Sequence, residues 1–206
     1  MAYSAGFSPH PKVSYTNTAA TGVASEAEYV ELGVTRECDP VAVRDALDAA
    51  LPPGLDVLEV VVARTKDFAH RLEASVWRIE LPEIALTDLE SAVAALLAAD
   101  EVMVERMTKN GPRTFDARAA VVSAECAAEE AVDPACAILT LVVRHGTPSV
   151  RPDDVLSALR GVADLVPPVP PRVTRLAQGP LHEAGTTVFD PLAPDRVDEA
   201  EAARTR

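Results

Sequence analysis

The densest group of side chains able to do chemistry in this 206-residue chain is Gly6-Phe7-Ser8-Pro9-His10-Pro11-Lys12-Val13-Ser14. Prolines on either side of His10 restrict the backbone there. Such a stiff loop can present His10 and Lys12 beside Phe7 and Tyr15, giving a nucleobase a ring to stack on and a phosphate a cation to meet. Gly6, Phe7, His10, Lys12 and Ser14 are therefore candidate binding residues. Lys12 is the only formal charge from Met1 to Ser25, so the acidity of the chain lies elsewhere. The competing reading is a loop that only aims the following strand, with Phe7 in the core. Spacing ties no Asp or Ser to His10, which leaves general-base catalysis without support.

A second constellation is Arg106, Lys109, Arg113 and Arg118, four cations against the single Asp116. With the turn Lys109-Asn110-Gly111-Pro112 at its apex, this segment reads as a basic hairpin arm. It offers Lys109, Arg113 and Arg118 to RNA phosphates or to an acidic partner. Alternatively the turn is merely solvated, and Asp116 pairs with Arg118 on one strand face. Ser25, Glu26 and Glu28 place two carboxylates two residues apart, but no His or third carboxylate accompanies them, which favours a solvated face. Trp77 reads as core, and His70 and His145 as isolated. Cys38, Cys126 and Cys136 lack metal-site spacing, and no glycine-rich nucleotide-binding pattern occurs. No catalytic, cofactor or metal residue is assigned.

Nineteen Lys and Arg against 32 Asp and Glu give a formal net charge of −13. Apolar runs such as Leu139 to Val143 are far short of the roughly 20 residues of a membrane span. The first residues lack the early positive charge and apolar stretch of a secretory signal. The expected compartment is the cytoplasm, with no membrane partner.

The elements that would position these groups follow from periodicity. Lys12 to Ala19 and Ala27 to Val34 alternate as strands around a turn at 20–25. Asp39-Pro40 opens a helix carrying Val43, Ala46, Leu47, Ala50 and Leu51, and Pro52-Pro53-Gly54 ends it. Leu55 to Ala63 reads as a strand buried on both faces. Ser75 to Leu81 is a strand, and Thr87 and Glu90 form a capping box for the next helix. A strand at 101–107 leads into the hairpin arm, followed by strands at 119–127 and 136–145, a helix at 152–162 and a short strand at 172–176.

This order predicts an α+β fold of two ferredoxin-like βαββαβ halves, the first lacking its opening strand and helix. The expected division is 1–66 for the incomplete half, 67–181 for the complete one and 182–206 for a disordered acidic tail. An uncovered sheet face is rarely tolerated, so either the start lies too late or a partner covers that face. The alternative is a smaller α+β piece packed on the second half.

The run Ala2 to Tyr15, followed by Thr21-Gly22-Val23-Ala24-Ser25-Glu26-Ala27-Glu28-Tyr29, resembles the radical-SAM-associated (radical-SAM-linked) protein family of bacteria, over nearly all of the chain to about Leu181. That family is an uncharacterised conserved domain, found alone or fused behind a radical SAM enzyme with a B12-binding region. Its members carry a basic strand-helix segment before this run, in keeping with truncation. The resemblance implies a radical SAM enzyme as partner, with S-adenosylmethionine, an iron–sulfur cluster and B12 on that partner. This chain lacks the cysteine triplet for such a cluster. The resemblance also implies an RNA or ribosome context. The expected function is a substrate- or partner-binding accessory in RNA modification or ribosome maturation. The rivals are a stand-alone ferredoxin-like RNA-processing or RNA-modifying enzyme and a protein-only scaffold.

Overall fold

The computed structural model describes residues 1–5, 7–128 and 136–196. In chain order its strands and helices are β1 (Val13–Thr16), β2 (Ala24–Ser25), β3 (Tyr29–Leu32), α1 (Pro40–Asp48), α2 (Phe68–Arg71), β4 (Ala74–Pro82), α3 (Leu86–Ala98), β5 (Met103–Thr108), β6 (Gly111–Asp116), β7 (Val121–Ala128), β8 (Cys136–Arg144), α4 (Pro152–Ala163) and β9 (Arg172–Gly179). Short 3₁₀ turns occupy Arg118–Ala120 and Ala193–Asp195. The fold is mixed α and β, and no helix among the described residues is long and apolar enough to cross a membrane.

The chain divides into two compact units, one of Met1–Thr18, Tyr29–Ala69 and Pro191–Arg206, the other of Ala19–Glu28 and His70–Asp190. We call these the β1–β3 unit and the five-stranded unit. Beside the expected division into 1–66, 67–181 and 182–206, two segments carry structure. Residues 20–25, read as a turn, contain β2, which runs parallel to β9 in the five-stranded unit's sheet. Residues 182–196, expected in the tail, hold an isolated bridge between Leu181 and Val188 and a buried Asp195 that accepts from the Arg64 amide at 2.9 Å. The rest of the predicted tail lies outside the described residues.

In the five-stranded unit the order is β2-β9-β4-β8-β7, with β4 antiparallel to both β8 and β9. Strict alternation along β4 explains how the sheet takes a layer on each side. Trp77, Ile79 and Leu81 face the helices, meeting Leu89, Val93 and Leu96 of α3, Val155 and Leu159 of α4, and Leu139 and Leu141 of β8. Ala74 and Val76 face the other way, onto Val142, Leu176, Leu181 and Val188. Fully burying a Leu or Ile contributes about 1.5–3 kcal/mol, so this core dominates the unit's stability.

Local caps differ from the sequence expectation. The N-cap of α3 is Ala85, without a side-chain bond, and Thr87 lies inside the helix, where its carbonyl accepts from Ser91 Oγ. At α4 the Asp154 carboxylate accepts from the Arg151 amide at 2.7 Å, and Pro152 occupies the first turn, where its missing N–H costs nothing. The hairpin β5–β6 is a separate two-stranded sheet. Its turn needs Gly111, whose φ is +103°.

In the β1–β3 unit, β1 and β3 pair antiparallel with Val13 opposite Leu32 and Tyr15 opposite Val30. Asp39 caps α1 as expected, its carboxylate accepting from the Val41 amide at 3.2 Å. Leu55 to Ala63 is not a doubly buried strand. It has no strand assignment, and Leu55, Leu58 and Val62 are exposed. An apolar β-branched run becomes a strand only if a neighbouring edge is free to pair, and none of the sheets includes this segment.

Candidate functional site

The predicted loop is built as a stitched turn leading into β1. The Ser4 amide donates to the His10 carbonyl at 2.8 Å, and the His10 amide donates to Ser4 Oγ at 3.0 Å. Below this closure, the Lys12 amide donates to the Ala2 carbonyl at 2.8 Å and the Ala2 amide to the Gly33 carbonyl at 2.7 Å. Gly33 is required where it stands, because a Cβ there would lie 2.8 Å from Lys12 Cβ. Phe7 stands wholly in solvent, at 110 % relative exposure, which corrects the reading that buried it in the core. His10, Lys12 and Ser14 are also exposed. Gly6 lies outside the described residues. Lys12 and Ser14 share a shallow depression of about 290 Å³ with Val13, Glu31 and Gly33.

The basic arm is less free than its composition implies. Arg106 reaches α4, pairing with the Asp154 carboxylate at 2.7 Å and donating to the Ser149 carbonyl at 3.2 Å, with its guanidinium 4.9 Å from the Phe115 ring centre. Arg118 is half-buried. Its guanidinium donates to the carbonyls of Val121 and Leu97, fixing the return into β7. The expected Asp116–Arg118 side-chain pair gives way to a backbone cap, since the Asp116 carboxylate accepts from the amides of Val102, Arg118 and Ala119. Lys109 and Arg113 remain exposed. Lys12 and Ser14 belong to the β1–β3 unit, and Lys109 and Arg113 to the five-stranded unit.

Burial pushes the Asp154 carboxyl up, against the lowering influence of the Arg151 amide and the Arg106 charge. Desolvation thus outweighs attraction at this pair, whose role is to orient the arm.

Sequence reading missed a polar cluster in the five-stranded unit. His145, taken as isolated, holds Ser75 Oγ at 2.6 Å through Nε2 and the Leu72 carbonyl at 2.6 Å through Nδ1. A carbonyl only accepts, so Nδ1 carries the proton and Nε2 accepts from the hydroxyl. Burial lowers the His145 pKa, the Leu72 carbonyl opposes that, and Arg175 adds to the lowering. Ser25 and Glu28, read as a solvated face, instead hold the buried Arg175, which donates to Ser25 Oγ at 3.1 Å and forms an ion pair with Glu28. The same guanidinium sits 5.4 Å from the Trp77 ring centre. Gln178 donates to the Ala27 carbonyl at 2.7 Å, while its Oε1 has no partner.

A neutral imidazole accepting from a serine hydroxyl is the arrangement of an activated nucleophile. Ser75, however, is only 1 % exposed at the start of the central strand, so a substrate cannot reach its oxygen. The cluster anchors the 19–28 segment and the sheet ends. No signal along the chain could have joined residues 70 positions apart.

Among the described residues no group of three or more His, Cys, Asp or Glu could hold a metal ion. A family described as uncharacterized proteins conserved in bacteria (DUF2344) matches residues 1–152. The chain belongs to the DUF2344 family. The matched residues include those of the loop, the arm and the Ser75–His145 pair. No curated protein and no solved structure matches the chain.

Proposed function

We propose that this protein is a non-catalytic accessory that holds the substrate or partner of another enzyme. The observation that carries the reading is Phe7, fully exposed on a loop closed by hydrogen bonds, beside exposed His10 and Lys12. The Ser75 hydroxyl, which has nucleophile geometry toward His145, is sealed from solvent, and that favours binding over catalysis. On the resemblance of the N-terminal run, the enzyme served is a cytoplasmic radical SAM enzyme acting in RNA modification or ribosome maturation. The S-adenosylmethionine, iron–sulfur cluster and B12 are on that enzyme.

The five-stranded unit is, in this reading, a ferredoxin-like half. With the β5–β6 hairpin as an insertion after α3, the succession β4-α3-β7-β8-α4-β9 in the order β9-β4-β8-β7 supports that assignment. The β1–β3 unit corresponds to part of a second such half. Its exposed Leu55 and Leu58 are apolar residues that a covering layer would take from water.

Co-expression with the radical SAM enzyme tests the reading. The chain is expected to co-purify with that enzyme, and alanine at both Lys12 and Arg113 to weaken substrate retention and flatten its salt dependence. Retention unchanged in the double variant would defeat the role given to these two residues, and turnover by the chain alone would defeat the accessory reading.

A further inference from the structure

Three of the chain's eight aromatic residues lie exposed within residues 3–15, Tyr3 at 56 %, Phe7 at 110 % and Tyr15 at 70 %. The polar side chains beside them supply donors, namely Ser8, His10 and Lys12, and no acid occurs before Glu26. Between Ala2 and Lys12 there is no Val, Leu, Ile or Met. A surface made to fill an apolar pocket on a protein would mix rings with aliphatic groups. Rings accompanied by hydroxyl, imidazole and ammonium groups suit a ligand that offers flat faces and acceptor oxygens together.

We propose that this loop and the start of β1 form a stacking site for single-stranded nucleic acid, with bases on the exposed rings and a backbone phosphate at Lys12. This rests on the accessory reading and names the ligand class of its binding site. Preorganisation supports it. The reciprocal Ser4–His10 bonds close the base of the loop, the bridge between Tyr3 and Pro11 aligns its two arms, and Pro9 and Pro11 each restrict φ. The cation is limited to one contact, because Glu31 shares the depression with Lys12 and sits opposite Ser14 across the ladder. Base stacking must therefore supply most of the affinity, and salt dependence must be slight. One released counterion on a single strand corresponds to a slope of about −0.7 in log K against log salt, far below that of a basic groove.

Anisotropy titrations of the full chain with labelled eight-nucleotide oligo(rA) and oligo(dA), between 50 and 200 mM salt, test this. Saturable binding with a shallow slope is expected. Phe7→Ala should weaken it about fivefold or more, the equivalent of losing one stacked base, and Phe7→Trp should retain it. Lys12→Ala should remove the remaining slope. Equal binding of the two oligonucleotides supports recognition of bases and phosphate alone, and preference for oligo(rA) supports an added contact to the 2′-hydroxyl. No saturable binding of either, or Phe7→Ala binding like the parent with an unchanged circular dichroism spectrum, overturns the proposal. If the chain then still co-purifies with the radical SAM enzyme, the accessory reading stands and the loop docks on protein.

Discussion

Along β4, Ser75, Trp77, Ile79 and Leu81 are at most 9 % exposed, whereas Tyr15 and Val30, opposite each other across the β1–β3 ladder, are 70 % and 46 % exposed. Both strands alternate in the same way. The difference lies in what is available to cover them. The five-stranded unit places α3 and α4 on one face and Leu176, Leu181 and Val188 on the other. The β1–β3 unit leaves Val41, Leu51, Leu55, Leu58 and Val62 exposed, and among the described residues the apolar side chains it buries are Phe68 and Pro191. A two-stranded ladder is marginal alone and needs a third strand or a packed helix. Patterning thus specifies which face of a strand is apolar, but stability requires a second layer.

The sharpest way to break this contrast is to truncate one apolar residue in each unit. Leu139→Ala, at a site 1 % exposed, should cost about 2–5 kcal/mol in urea denaturation followed by circular dichroism. Leu58→Ala, at a site 78 % exposed, should stay within about 0.5 kcal/mol. Equal losses would mean that the β1–β3 unit has a core of its own.

Arg106→Ala comes next, since it strips a buried Asp154 of its guanidinium partner and releases the arm from α4. A loss of about 1.5–3 kcal/mol is expected, with faster hydrogen exchange along β5 and β6 as the local readout. Ser75→Ala removes the hydroxyl that His145 accepts from and should cost about 1–3 kcal/mol.

A smaller effect is a dependence on pH. The folded pKa of His145 lies below its ordinary 6.5, so the unfolded chain binds the extra proton first. Its contribution to stability is complete above pH 6.5 and is lost as pH falls below that value towards the folded pKa. His145→Gln should flatten the fall in urea midpoint on acidification, and an equally steep fall in the variant would assign it to other groups.

From β4 to β9 the elements of the five-stranded unit were legible because each carries its own period or punctuation, whereas β2 was read as a turn. Ser75 to Leu81 alternates, Leu89, Val93 and Leu96 share a helical stripe, and Asn110-Gly111 marks a turn. The loop was legible as well, from two prolines around a histidine. Three features were not. Leu55 to Ala63 has strand composition but no pairing edge, and pairing is a property of another segment. Arg118 has the composition of an arm cation, yet the carbonyls of Leu97 and Val121 claim it. Ser75 meets His145, and Glu28 meets Arg175, only through the order of the sheet.

Trp77, the single indole of the chain, lies in the five-stranded unit, against the Arg175 guanidinium. An unfolding curve read from tryptophan emission would consequently report on that unit alone. The β1–β3 unit could lose its structure while the signal stayed native, and only the tyrosine signals of Tyr3, Tyr15 and Tyr29, all in the β1–β3 unit, would register the event.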